Sequence, residues 1–471
     1  MGRRLTLVAC LFALAAGNAQ AAGYTKADTT FFMDDGTALA GTLYVPAETP
    51  PAAGWPGIVM FHGLGGTRAD TNTVAEQSFA QQGFAILTFD ARGHGASGGL
   101  FSADGPREIA DSRNLFNQFA ARPDVDDAHI GAWGISLGGG AIWRSLVEGI
   151  PFAAVETVET WTDLYSALIP QDWSKSGAIY GFLSSVPVDR ISPDVLTVKD
   201  DAFASTNLAR LHAFARQRSS LDSLPRITTP ALVFQGRRDF AFGLDQGLAL
   251  YRGLAGPKRL YIGDFGHSPS KFPGPDKAIL YAEGGDWFGR YLRGDQNGID
   301  RRPPIELAPD PFREGHNVQY ATLPATKLLT FALPGSKRIT PAGSVQRSTQ
   351  AQPVPKLETF GSPIVRVVVK ATGGWNRLVA VLTAVSPKGE ETVVSEGGTA
   401  LANGTRTVTI RLISDVTTVA RGSRFHLTLA PASTFQSAGN LLYADIPMDL
   451  GARVVIGDAT LALPVLRKPI S

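Results

Sequence analysis

A single serine sits where this chain changes from strand to helix. Residues 129–133 (His-Ile-Gly-Ala-Trp) read as a buried strand, and residues 139–143 (Gly-Gly-Ala-Ile-Trp) open an apolar helical run. Between them lies Gly134-Ile135-Ser136-Leu137-Gly138. A turn this tight leaves almost no room for side chains two residues before and two after the serine. In return it lifts the hydroxyl above the sheet and points the next backbone N–H at any oxygen bound there. The feature therefore fixes a strand–turn–helix unit and marks Ser136 as a candidate nucleophile.

The rest of the chain supplies the sheet that such a turn requires. From about residue 29 to 295 strand and helix signals alternate, as in a mainly parallel sheet covered on both faces. Residues 29–33 and 38–45, joined by Asp34-Asp35-Gly36, read as an opening hairpin. Short apolar strands are expected at 57–61, 84–89, 153–158, 231–234 and 260–262. Helices are expected at 74–82, 107–121, 244–254 and 278–293. Residues 160–225 break the rhythm. They are rich in aromatic residues, carry a helical stretch at 203–217 and show no strand signal, so they read as a cap over the sheet. Residues 301–325, rich in proline and charge, read as a linker. Beyond them, short β-rich runs separated by turns such as Asn403-Gly404 argue for an antiparallel sandwich over 326–471.

Composition narrows the class. The chain has 471 residues, enough for two or three domains, and is 44% hydrophobic with no polar tract, so it is globular. Arg3 and Arg4, the apolar stretch 5–16 and Ala19-Gln20-Ala21 form a secretory signal pattern, with cleavage expected after residue 21. Leu7-Val8-Ala9-Cys10 resembles a lipoprotein box, but the apolar run continues past the cysteine. Without the leader, the 44 basic and 42 acidic residues become 42 of each, which gives no basis for a nucleic-acid partner. The only cysteine leaves with it, so the mature chain, residues 22–471, has no disulfide and no thiol nucleophile. The expected address is secreted or periplasmic, without stable insertion in a membrane. No metal-ligand, Walker or dinucleotide motif is present and no cofactor is implied.

The elbow within this alternating pattern resembles the α/β-hydrolases, in which the nucleophile is followed in the chain by an acid and then a histidine. Three histidines lie beyond the cap: His267, His316 and His426. The last two fall in the linker and the β-rich region, whereas His267 follows the strand at 260–262, where the fold places its base. Asp239, just past the strand at 231–234, is the expected acid, with Asp264 and Asp245 as rivals. Leu137 N–H and Leu64 N–H, the latter from the loop His62-Gly63-Leu64-Gly65-Gly66, are the expected oxyanion donors. His62 reads as a brace for that loop. Asp90 and Arg92 read as stabilisers of the Gly-rich loop 90–99. In the cap, Trp161 and Tyr165 are candidate substrate contacts. Glu156, Glu159 and Asp163 read as solvated or strand-end carboxylates rather than as a site for a substrate ammonium.

The elbow, the 90–99 loop, the 233–239 stretch and His267 further resemble the peptidase S15 group, which contains X-Pro dipeptidyl-peptidases and cocaine-esterase-type acyl esterases. Residues 160–168 (Thr-Trp-Thr-Asp-Leu-Tyr-Ser-Ala-Leu) are similar to the start of the helical cap in some members, and the β-rich tail looks like the group's jelly roll. Two departures stand out. Leu137 replaces the tyrosine that many members carry after the nucleophile, and the 62–66 loop offers no oxyanion tyrosine. The resemblance implies an α/β-hydrolase fold with a helical cap over 160–225 and an all-β, jelly-roll-like sandwich. It also implies a serine hydrolase acting on a small ester or peptide through an acyl-enzyme. The rival reading is a secreted glycan- or polymer-binding protein with an idle hydrolase domain.

Overall fold

The computed structural model describes residues 23–349, 354–434 and 442–470. The leader read over residues 1–21, with Cys10, lies outside them. The opening hairpin, β1 (Tyr24–Phe32) and β2 (Ala38–Pro46), turns at Asp35, whose carboxylate accepts the Thr37 N–H at 3.0 Å. There follow β3 (Trp55–Phe61), β4 (Ala85–Phe89), β5 (Val125–Ile135), β6 (Val155–Val158), β7 (Ala231–Gly236), β8 (Lys258–Gly263), β9 (Ile305–Leu307) and β10 (Val318–Tyr320). These ten strands form one sheet in the order β1-β2-β4-β3-β5-β6-β7-β8-β9-β10. Every pair from β4 to β9 is parallel, and the two ends are antiparallel.

Helices cover both faces and, over residues 160–225, build the cap. They are α1 (Arg68–Gln77), α2 (Pro106–Ala120), α3 (Leu137–Val147), α4 (Leu164–Leu168), α5 (Ser176–Ser184), α6 (Pro193–Ala204), α7 (Leu208–Arg216), α8 (Leu244–Gly253) and α9 (Lys277–Phe288). Strand β3 shows why both faces must be covered. Its Val59 and Phe61 join the core under α2, α3 and α8, while Ile58 and Met60 join the core under α1 and α9. Helix α1 starts earlier than the expected 74–82. A reciprocal capping box between Thr67 and Asp70 fixes its N-terminus, ahead of the apolar residues that carry the periodicity. The helix expected at 203–217 is split into α6 and α7, because Ser205 and Asn207 take left-handed backbone (φ 55° and 45°).

The segment 301–325, expected as a linker, is not one. It supplies β9 and β10, and Ile305 and Leu307 are fully buried beside β8. Three-residue strands have too few alternations for a period to show in the sequence.

Beyond it, two antiparallel sheets pack as a sandwich. One contains Thr326–Leu333, Lys337–Ile339, Ile364–Thr372, Gly404–Arg411 and Arg453–Leu466. The other contains Val345–Ser348, Arg377–Val385, Glu391–Ala400 and Arg424–Ala430. In Ile364–Thr372 the inward Val365, Val367, Val369 and Ala371 alternate with exposed Arg366, Val368 and Lys370. Strand Glu391–Ala400 is hidden from sequence reasoning because Ser395-Glu396-Gly397-Gly398 lacks β-formers. Gly398 is closely packed there: a Cβ would lie 2.8 Å from Tyr443 and 3.0 Å from cap residue Trp173.

The sandwich grips the loop after β7. Arg237 forms a buried ion pair with Glu358 at 2.7 Å, Arg238 donates to Val393 O at 2.7 Å, and Phe240 packs against Val379, Val381 and Ile413. Among the described residues, no helix is long and apolar enough to cross a membrane.

Candidate active site

Strand β5 ends at Ile135 and α3 begins at Leu137, so Ser136 alone makes the turn. Its backbone is held at φ 53°, ψ −114°, outside the ordinary regions for a residue with a Cβ. Both flanking glycines are obligatory. A Cβ at Gly138 would lie 2.3 Å from Phe61 O, and one at Gly134 would lie 2.6 Å from Gly138 O. The neighbouring strand and the helix are thus packed directly onto the turn.

The loops after β7 and β8 bring two further groups to Ser136. Its Oγ lies 3.0 Å from His267 Nε2. His267 Nδ1 donates to Asp239 Oδ2 at 2.7 Å, which assigns the neutral ring's lone pair to Nε2, facing the serine. Asp239 is fully buried and accepts two backbone N–H groups as well, from His267 at 3.2 Å and Phe242 at 2.8 Å. The rival acids lie elsewhere. Asp264 accepts the Phe312 N–H at 3.3 Å, and Asp245 pairs with the Gln246 amide at 3.1 Å.

Burial works against a charge on His267, but Asp239 and then Glu159 outweigh it, and the ring is pushed up to about 9. Lys175 reaches from the cap beneath the same loop. Its ammonium donates to Phe240 O and Ala241 O, both at 2.9 Å, and burial holds it down at about 8 despite Asp245 and Asp239.

Leu137 and Leu64 line the same cavity as Ser136. Leu137 is the first residue of α3, where backbone N–H groups have no partner within the helix. The Leu64 loop is braced by His62. The His62 Nε2 accepts the Ala91 N–H at 2.9 Å, so Nδ1 carries the proton and donates to Gly63 O at 2.7 Å. Burial holds the His62 ring down, which keeps it neutral in that role. Among the described residues, Asp90 and Arg92 are not part of the cavity lining. Asp90 accepts Arg68 N, Arg68 Nη1 and Ala96 N, and Arg92 pairs with Asp111 and Asp35.

The cavity, about 130 Å³, runs from Ser136 into the cap. Trp161 and Tyr165 both line it, and their polar atoms are tied up elsewhere: Trp161 Nε1 donates to Arg218 O at 2.8 Å, and the Tyr165 hydroxyl to Asp172 at 2.8 Å. Sequence reasoning missed most of the wall. Phe182, Val195, Leu211 and Phe242 come from α5, α6, α7 and the loop before α8, and Phe242 meets the His267 ring edge-on at 5.1 Å. Their spacing within each helix gave an apolar stripe without saying what it faced. Among the described residues, Lys199 is the only charged one in the lining.

Of the three carboxylates read as solvated or strand-end, Glu156 lies in β6 and Glu159 at its end, but both are buried rather than solvated, and Asp163 is half-buried. Glu156 is buried and accepts Trp133 Nε1–H at 3.0 Å, Glu159 is buried beside His267, and Asp163 caps α4. None lines the cavity.

A family model described as X-Pro dipeptidyl-peptidase (S15 family) matches residues 35–269, which span the elbow, the cap, Asp239 and His267. The catalytic domain belongs to the peptidase S15 family. The fold of this S15 hydrolase, sandwich included, matches that of a CocE/NonD family hydrolase from Staphylococcus aureus, with a TM-score of 0.72 over 94% of each chain at 14% identity. An α-amino acid ester hydrolase gives 0.68 over 96% of this chain and 98% of that one, also at 14% identity. These likenesses are of fold. Among curated proteins, the quorum-quenching protein AidA of Acinetobacter baumannii is 33% identical over 119 residues, 24% of this chain. The S15 hydrolase spans little more than a third of the length of the curated relatives it matches, 38% in the case of AidA.

Proposed function

We propose that this protein is an exported serine carboxylesterase for substrates with an apolar acyl chain. Ser136 Oγ attacks the ester carbonyl as His267 Nε2 takes its proton, and Asp239 stabilises the imidazolium. The N–H groups of Leu137 and Leu64 hold the oxyanion. His267 then gives the proton to the leaving alcohol, and water releases the acid from the acyl-enzyme by the same steps in reverse order.

The observation that carries the choice of substrate is the cavity wall. A peptidase that recognises a free amino terminus needs an anion for the ammonium, and among the described residues no Asp or Glu lines this cavity. On a measure by which one water needs roughly 10–15 Å³, a 130 Å³ space suits a chain of several carbons. The hydrogen-bonded serine, histidine and aspartate speak for an active enzyme rather than an idle domain on a binding protein.

A parallel screen of p-nitrophenyl esters, acetate to decanoate, against X-Pro-p-nitroanilides tests the reading. Turnover of medium-chain esters above acetate is expected. Cleavage of the anilides with no ester turnover would replace it with a peptidase. Export rests on the pattern of residues 1–21, and sequencing the N-terminus of the mature protein tests it.

A further inference from the structure

A second carboxyl faces His267. Glu159 is the first residue after β6, the strand between β5, which leads to Ser136, and β7, which leads to Asp239. Its N–H donates to Phe234 O of β7 at 2.8 Å, and its φ of 41° is unfavourable for a residue with a Cβ. The residue is 3% exposed. One carboxyl oxygen of Glu159, one of Asp239 and one ring nitrogen of His267 lie within 4.8 Å of one another. Yet Oε2 of Glu159 has no hydrogen-bond partner among the described residues. A buried carboxyl left unsatisfied in this way costs stability. The Ser136–His267–Asp239 chain of hydrogen bonds is complete without it.

We propose that Glu159 is a second acid for His267: a positioning residue that faces the imidazole alongside Asp239, from the neighbouring strand end, and helps stabilise the imidazolium formed when Ser136 gives up its proton. This rests on the serine-hydrolase reading above. The groups that face one another are Glu159 after β6, Asp239 after β7 and His267 after β8, with Lys175 of the cap opposing the charge on the ring. Burial pushes Glu159 up to about 8, while His267 pulls it down and Asp239 pushes it up. Above that range Glu159 is a second anion beside the ring. In the proton transfer the Ser136 O–H bond breaks and an Nε2–H bond forms. The new positive charge then lies close to two carboxyl groups. The sign follows: an anion near the ring raises its pKa, so removing the charge frees the base at lower pH.

The test is the pH dependence of Ser136 labelling by a fluorophosphonate and of kcat/KM on p-nitrophenyl butyrate. Glu159→Gln keeps the shape and cannot ionise. Its acid limb is expected to move down by roughly one unit, with KM unchanged and no loss of melting temperature. Glu159→Asp, which draws the charge back by one methylene, is expected to fall between the two. In an Asp239→Ala background, where Glu159 is the remaining acid, adding Glu159→Gln is expected to remove at least roughly tenfold of the residual rate. Superposable pH profiles together with an unchanged residual rate would make Glu159 a packing residue and overturn the proposal. A wild-type protein that takes no label at Ser136 at any pH would overturn the serine-hydrolase reading, and this proposal with it.

Discussion

On one side of Ser136, His267, Asp239 and Glu159 crowd together, with Lys175 bound beneath the same loop. On the other side the cavity wall is formed by aliphatic and aromatic side chains, with one lysine. The two faces solve different problems. Charge that develops during proton transfer is stabilised by fixed, buried polar groups that need not reorganise. Substrate choice needs an apolar wall that fits a chain and excludes water. The chemical step should therefore be sensitive to the polar face for every substrate, and the ranking of substrates should be sensitive to the apolar face.

The severest test of that division is Ser136→Ala, which should lower kcat by roughly 10⁴-fold or more on all esters alike, with far-ultraviolet circular dichroism and melting unchanged. Substantial turnover by the folded variant would take the chemistry away from this site. Asp239→Ala should follow, at roughly 10³- to 10⁴-fold, again independent of acyl length. A loss confined to long chains would mean the two faces are not separate.

The polar face also depends on a distant domain. Arg237 and Glu358 are 1% and 0% exposed, and removing one partner of such a pair typically costs about 3–5 kcal/mol. Glu358→Ala should therefore lower the melting temperature of the whole protein and, by loosening the loop that bears Asp239, reduce kcat more than it raises KM. If kcat of the folded fraction is unchanged, the sandwich supports stability alone. The smallest expected effect is at the cavity. Trp161→Ala should lower kcat/KM roughly 10- to 100-fold for medium-chain esters and alter the rate on acetate much less. An unchanged ranking would make this tryptophan part of the core and leave selectivity to the α6 and α7 wall.

Much of the polar face can be read directly from the residues. A serine between two glycines demands a turn at the top of a strand, and the order of elements after it leaves His267 as the one late histidine following a sheet strand. Asp239 was harder to choose, because Asp245 and Asp264 are near it in sequence. The difference lies in where each carboxylate points: one is buried among N–H donors, while the others meet Gln246 and Phe312. Glu159 was legible only as a carboxylate near a strand end. Its nearness to His267 follows from β6 lying beside β7, which is a fact of sheet order and of a positive φ at one residue. The available signal was that it comes immediately after the strand next to the elbow strand.

The apolar face was legible in kind but not in shape. Residues 160–225 announce an aromatic, strand-free insertion, and Trp161 and Tyr165 do line the cavity. The breaks at Ser205 and Asn207 turn the chain so that α6 and α7 both contribute to the wall. No periodicity marks those breaks.

The sequence by itself determined the sheet, the elbow, the order of the serine, acid and histidine, and the β-rich character of the tail, because each depends on short-range sterics or on a period of two or 3.6 residues. Only the tertiary structure decided that 305–307 and 318–320 are sheet strands, that the sandwich holds the loop of Asp239, and that Glu159 shares His267. These depend on contacts between residues from 11 to more than a hundred positions apart, whose energies come from burial and pairing and leave no local mark on the chain.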